Sequence, residues 1–415
     1  MIQVRAPAIA SPMAVTLRTD TIHFGALDSW RGLCAILVAL FHLSVLGHIH
    51  DVPLIRNAFL FVDFFFVLSG FVITHAYLGR LNTGSEFTAF AIKRLGRIWP
   101  LHVVVLAAFV LAEAVNFALA MAIGFKTGHA PFAAEGYRPL AAIPAQLLLL
   151  QAVNVSDKLT WNFPSWSIGA ELDLSRLWLD RAHHAAVADV CAGCGRAARG
   201  GGRGIVFKAR HRNHLRLRIV RCLYGFTVGH LTYLIYRTAK AAPSQRFGTA
   251  IEVGMVALIC GFVVAAGRGP LSLAAPLLFG LTVLIFAYER GLVSRMLKWP
   301  VFVKLGELSY SIYMVHAFVA LMIMTAATIG QKLIGRPLLV EQIHDGEPVK
   351  VIANLNVYVL DAIFVAYIGI VIGLSALTRR LVEIPGQRLF GRWAQKAASA
   401  PRPAAAPLGP VSQQP

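Results

Sequence analysis

Long apolar runs separated by short basic clusters set the pattern of this chain. They lie near 31–48, 58–79, 98–124, 138–153, 222–237, 248–266, 270–289, 305–329 and 355–379. Most approach the roughly 20 residues a helix needs to cross about 30 Å of hydrocarbon; 138–153 and 222–237 are shorter and also fit re-entrant segments. Helices are favoured because each span must satisfy its own backbone hydrogen bonds inside lipid, and the pattern lacks the alternating strands of a membrane barrel. The expectation is an all-α polytopic bundle.

Positive charge orients it. Arg80, Lys93, Arg94 and Arg97 follow the second run; Arg237, Lys240 and Arg246 follow 222–237; Arg290, Arg295, Lys298 and Lys304 precede 305–329. The excess of Lys and Arg in cytoplasmic loops puts all three clusters inside, together with Arg379, Arg380, Arg388, Arg392, Lys396 and Arg402 near the C-terminus. Residues 138–221 must then cross an even number of times. Two crossings, one from 138–153 and one starting near Trp166, predict about ten spans with both termini cytoplasmic. Residues 1–26 read as a cytoplasmic segment without a signal-peptide core, 27–390 as the membrane domain, and the Ala- and Pro-rich 391–415 as a disordered tail.

Composition excludes an ordinary soluble domain: the 415 residues are 57% hydrophobic and 14% charged, against about 25% charged in a typical globular chain. Although 39 basic residues outweigh 20 acidic ones, they fall between apolar runs, as loop charges facing anionic lipid do, so membrane lipids and not nucleic acid are the expected partner. Five cysteines without regular spacing do not suggest a disulfide framework.

One stretch departs from the pattern. Residues 172–221 carry eleven Arg and Lys against three Asp, with four His and a Gly-rich run at 199–204. At about 2.5–3.5 kcal/mol per central Arg or Lys, most of it does not span. It is either a polar loop or a stretch read out of frame in a GC-rich gene, and the abrupt change after Glu171 with reversion near Cys222 favours the second. Cys191 and Cys194, with His211 and His214, have the wrong spacing for a zinc finger, so no metal site is expected.

Candidate chemistry lies in short strings. Leu27-Asp28-Ser29-Trp30-Arg31-Gly32 leads into a span ending at Phe41-His42. Arg31 and His42, eleven residues apart, fall about 20° from the same helical face and about 16 Å apart along it. Ionisable groups inside a span point first to function, although Arg31 also fits an interfacial anchor and His42 a packing histidine. Asp63 sits in the aromatic second span, in Phe61-Val62-Asp63 through Ser69-Gly70-Phe71, where a carboxylate needs a proton or a cation. Arg94 and Arg97 share a face at i, i+3; they suit paired contacts to phosphate, or simply the cytoplasmic lip. Trp166 and Glu171 open a further helix, where an acid can orient a histidine, hold a hydroxyl, or favour the helix start. Tyr310, Tyr313 and His316 lie along one side of the 305–329 span, suited to a cavity or, for the tyrosines, an interfacial belt. Arg379-Arg380-Leu381-Val382-Glu383-Ile384-Pro385 closes the last span.

In this order the strings resemble the acyltransferase 3 family of integral-membrane acyltransferases, from Leu27 to about Phe390 apart from 172–221. The resemblance implies transfer of an acyl group, usually acetyl, from acyl-CoA to a hydroxyl of a cell-surface or lipid-linked carbohydrate, in a bacterial inner membrane. Acetyl-CoA is then a donor substrate, with no bound cofactor implied. Arg31 and His42 match the family's essential pair of the first helix, Arg94 and Arg97 its basic pair, Trp166 and Glu171 its glutamate motif, and Ser309 to His316 its Ser-Tyr-Ser-Ile-Tyr pattern. His42, Arg31 and Glu171 are therefore the expected catalytic residues. Asp63, Arg94, Arg97, Trp166, Tyr310, Tyr313 and His316 are the expected substrate contacts. His42 would serve as general base or transient acyl carrier, with Asp63 or Glu171 setting its tautomer. In the family the glutamate motif continues as a hydrophobic helix, whereas this chain turns charged after Leu172. The competing readings are a transporter using Asp63, His42 and Glu171 as a polar path, a non-catalytic membrane protein, and an acyltransferase inactivated by the frame change.

Overall fold

The computed structural model describes residues 23–78, 84–123, 130–134, 136–152, 159–171, 210–239, 245–344 and 347–398. Nine principal helices follow one another among them: α1 (Gly25–Phe41), α2 (Phe61–Tyr77), α3 (Gly84–Ile123), α4 (Arg210–Thr238), α5 (Gln245–Ala266), α6 (Ala275–Ala287), α7 (Pro300–Ile334), α8 (Val357–Thr378) and α9 (Ile384–Ala398). The chain is a helical membrane protein. Six helical stretches are long and apolar enough to cross: Ala58–Tyr77, Gly84–Ala122, Arg246–Ala266, Pro270–Ala287, Pro300–Ile334 and Val357–Ala398. Large apolar side chains such as Leu111, Val365 and Leu333 stand exposed on the outside of the bundle, as lipid contact requires.

Glycine decides which helices touch. A Cβ on Gly32 would meet the Gly306 backbone at 2.5 Å, and one on Gly229 would meet the Val67 carbonyl at 1.9 Å. Only hydrogen there lets α1 lie on α7 and α2 on α4 at this distance. Contacts along each pair give its direction. Trp30 lies against Phe64 and Phe41 against Phe59, so α1 and α2 are antiparallel. Asp63 meets Arg221 and Thr74 meets His230, so α2 and α4 are parallel. Arg31 meets Ser309 and His42 meets His316, so α1 and α7 are parallel. We call the end bearing Gly25 basal and the end bearing His42 apical.

The basal end is tied by polar clamps. Glu252, 1% exposed, accepts from the backbone N–H groups of Gly291 and Ser294 at 2.7 and 2.8 Å, capping the short helix Leu292–Leu297. Ser29 Oγ donates to the Leu297 carbonyl at 2.6 Å. After α8 a π-helical turn, Arg379–Glu383, redirects the chain so that α9 runs back along basal α3. There Gly386 lies against Pro100, and Gly96 against Phe390.

Three features differ from the sequence expectations. Residues 138–153 do not form a span: they break into a turn at Leu140–Ala142, a short helix Ile143–Leu147 and a second turn at Leu150–Ala152, with Leu149 at φ +58°. A buried amide explains the break, since Gln146 Nε2 donates to the Thr160 carbonyl at 2.9 Å and the Gln146 carbonyl is 2.7 Å from His102 Nε2. Secondly, a β-hairpin, β1 (Leu339–His344) with β2 (Glu347–Ile352), stands at the apical end. It joins the segment after His42: Ile352 N–H donates to the Ser44 carbonyl at 2.9 Å and Leu46 N–H to the Ile352 carbonyl at 3.0 Å. Finally, α9 continues through Ala398, so part of 391–415 is helical; the rest of that tail lies outside the described residues, as do residues 1–22 and the Gly-rich part of 172–221.

Candidate active site

The close crossing of α1 and α7 places the first functional group. At the basal end Arg31 Nε donates to Ser309 Oγ at 2.8 Å, while Nη2 reaches Asp28 at 2.9 Å. Asp28 and Arg31 stand at i, i+3, so the helix itself pre-sets the guanidinium. Across from them Arg94 of α3 pairs with Glu171, which also accepts from Ser69 Oγ at 2.5 Å. Arg94 Nε is buried without a partner. Arg97, one turn further along α3, is exposed and makes no hydrogen bond or ion pair among the described residues.

These arginines line two adjoining cavities. The inner one, about 140 Å³, is bounded by Arg31, Arg94, Arg97, Glu171, Tyr310 and Tyr313 among others. The outer one, about 240 Å³, opens among Asp28, Glu307, Arg379 and Glu383. Arg31, Arg97, Ser309 and Tyr310 line both, so the cavities are in series with two guanidiniums at their junction. Tyr310 O–H is held by the Ile98 carbonyl at 2.5 Å. Arg379, set by the π-helical turn, donates to the Glu307 carbonyl at 2.6 Å, and Ser311 Oγ donates to Glu383. Such turns interrupt α-helices at functional sites often enough to be noticed.

At the apical end the same two helices bring His42 and His316 together, Nδ1 to Nε2, at 3.2 Å. His42 Nδ1 is also 2.9 Å from the Val38 carbonyl, and His316 Nδ1 is 3.2 Å from the Ile312 carbonyl. A carbonyl can only accept, so in both neutral rings the proton sits on Nδ1. His316 Nε2 then accepts from His42, and His42 Nε2 keeps a bare lone pair. The backbone of His42's own helix, one turn back, sets this tautomer; His316 and the Phe163 ring, 4.9 Å away, hold its plane.

The expected residues therefore divide. Arg31, Arg94, Arg97, Glu171, Tyr310 and Tyr313 surround one cavity, and His42 and His316 form a pair beyond it. Asp63 does not orient His42: buried to 1% exposure, it is engaged by Arg221 at 2.7 and 2.5 Å, a two-pronged clamp between α2 and α4. Nor does Glu171, whose partners are Arg94 and Ser69. Trp166 lines neither cavity and packs edge-on against Phe66 at 5.9 Å. Ser69, Ser167, Ser309 and Arg379 were not among the expected site residues, although Ser309 stood in the Ser309–His316 motif. Arg379 had a signal in the string closing the last span and Ser309 in its motif; Ser69 and Ser167 look like packing until their partners are known. The side chains of Cys191, Cys194, His211 and His214 lie outside the described residues, and no group of three or more metal-ligating residues occurs among the described ones.

Fold and site together define a polytopic helical membrane protein in which an arginine-lined vestibule leads from the basal face toward paired imidazoles. Residues 24–175 match the family profile described as an acyltransferase domain, the family that the motifs of this chain resemble. It is also 38% identical over 85 residues to "Protein 2 in picA locus" of Rhizobium radiobacter, a match covering 20% of this chain and 42% of that relative. No solved structure matches the chain significantly.

Proposed function

We propose that this protein transfers a short acyl group, acetyl in the simplest case, from acyl-CoA entering at the basal face to a hydroxyl of a cell-surface or lipid-linked carbohydrate reaching His42 from the apical side. The observation that carries this reading is the pair of serial cavities with Arg31 and Arg97 at their junction, ending one helical turn short of the histidine pair. Guanidiniums recognise phosphate through paired, charge-assisted hydrogen bonds, and the unpaired Arg97 has its donors free for that use. The basal face is then cytoplasmic, where CoA is found, in a bacterial inner membrane. Both termini inside is the topology consistent with this, the basic clusters marking the same face.

In the reaction, the acceptor hydroxyl gives its proton to His42 Nε2 as its oxygen attacks the thioester carbonyl carbon. The C–S bond then breaks, the ester forms, and the imidazolium returns the proton to the departing CoA thiolate. Imidazole suits this because its ordinary pKa of about 6.5 lets it take up and release a proton near neutrality. Arg31 and Arg97 hold the donor's phosphates, Arg94 and Glu171 brace the inner wall, and Tyr310 shapes the junction.

The test is turnover of radiolabelled acetyl-CoA by membranes containing the full chain. Glycan-bound label should appear with the wild type and vanish in His42→Ala and Arg31→Ala at equal expression; undiminished labelling in both variants refutes the site. We also read 172–221 as an out-of-frame stretch, and the family match ends at residue 175. Sequencing the gene across codons 165 to 225 decides it.

A further inference from the structure

The inner cavity does not reach the histidines. Its wall includes Ser167 and Tyr313 but neither His42 nor His316. Tyr313 and Ser167 are joined oxygen to oxygen at 2.8 Å. Ser167 Oγ lies 3.1 Å from the Pro164 carbonyl and donates to it, so the Tyr313 hydroxyl is the donor in the shared bond. The Tyr313 ring is braced edge-on by Phe65 at 5.5 Å. The His316 ring stands 5.7 Å from it. Tyr313 is 7% exposed and Ser167 is 5% exposed. A group moving from the arginines toward His42 therefore meets the face of one tyrosine, pinned by one serine on the opposite helical segment.

We propose that Tyr313, held by Ser167, is the stop that ends the donor cavity and restricts the acyl group to short chains. The inference rests on the donor reading above and adds a specificity determinant to it. An acyl chain longer than acetyl needs room that the phenol ring occupies. When the ring swings off Ser167, the thioester carbonyl gains access to the imidazole one helical turn beyond. A small acyl group passes with that motion alone, whereas a longer one has to displace Phe65 as well. Apolar pockets discriminate by about tenfold or more per methylene when space is the limit, so a single ring can set the preference.

Binding separates this stop from the donor site itself. Purified full-length protein is titrated calorimetrically with two unreactive thioethers, S-ethyl-CoA and S-hexyl-CoA. The wild type should favour the ethyl compound by at least about tenfold. Tyr313→Ala should shift the ratio toward the hexyl compound by about the same factor. Ser167→Ala, which unpins the ring and leaves it in place, should move the ratio the same way by a smaller factor. An unchanged ratio in a Tyr313→Ala protein that still binds S-ethyl-CoA overturns the stop and leaves the donor reading standing. If Tyr313→Ala binds neither compound, the ratio in Ser167→Ala decides, and no shift there overturns the proposal. Failure of the wild type to bind either thioether removes the donor reading, and the stop with it.

Discussion

Two regions of the site are built by the same pair of helices. At the basal end α1 and α7 present charge: Arg31 is tied to Asp28 and Ser309, with Arg97 unpaired beside it. At the apical end they present two neutral imidazoles whose protons are fixed by main-chain carbonyls and whose other partners are aromatic rings. The difference follows from what each end can solvate. Charges are tolerated where cavities admit water and phosphate, but burying an unpaired ion is very unfavourable. A neutral histidine hydrogen-bonded by its own helix can stand in the apolar interior and keep one lone pair ready. Under the proposed function, recognition and chemistry are separated along the membrane normal, about 16 Å by helical rise, with Tyr313 between them.

That separation can be broken experimentally. The largest effect is expected from His42→Ala, which should lower the single-turnover rate by about 10²–10⁴ and leave donor affinity nearly unchanged; an equal loss of CoA binding would show that the two ends do not act separately. Asp63→Asn comes next, through stability. It leaves the partly exposed Arg221 without its counter-charge and should destabilise by about 2 kcal/mol, read as a lower unfolding temperature in detergent, while the folded fraction keeps its donor affinity. A variant with normal unfolding and lost CoA binding would return Asp63 to the site. Arg97→Ala should raise the donor KM by about tenfold with kcat nearly constant, since the interaction it removes is made equally in the ground and transition states. Smallest of all, Trp166→Phe should change either parameter by less than about twofold, because an edge-on contact with Phe66 survives the swap; a large drop in kcat would place Trp166 against a substrate.

Much of this was legible in the sequence. Apolar runs and basic clusters announced a helical membrane protein, and the eleven-residue spacing of Arg31 and His42 on one face was enough to align both with α7. Intramembrane ionisable residues flagged helices that line the two cavities. Their partners were not legible. Asp63 and Glu171 looked like candidates to orient the histidine, yet their cations come from Arg221, 158 positions away, and Arg94, 77 positions away. The run at 138–153 looked like a span because hydropathy counts apolar side chains and cannot see that Gln146 will be buried against Thr160. The hairpin at 339–352, paired from Leu339 opposite Ile352 to His344 opposite Glu347, carried a local signal that hydropathy does not register: Asp345-Gly346 between two short alternating apolar runs.

The two ends of 172–221 show the same division. Composition alone marks where the chain changes character, after Glu171 and before Cys222. Only folding shows that Glu171 is braced by Arg94 and Ser69 while Arg221 is clamped to Asp63, so both rims remain anchored in the bundle.

What the amino-acid sequence determined by itself is the medium and the parts: lipid as solvent, helices as the means of crossing it, and a set of arginines, acids and imidazoles too costly to bury without purpose. The tertiary structure decided which of those parts became a site and which became clamps. Hydropathy and helical phase are local properties, readable one turn at a time. Ion-pair choice, tautomer and cavity shape depend on helices brought into contact across hundreds of residues, and here glycine crossings such as Gly32 on Gly306 set how closely they meet.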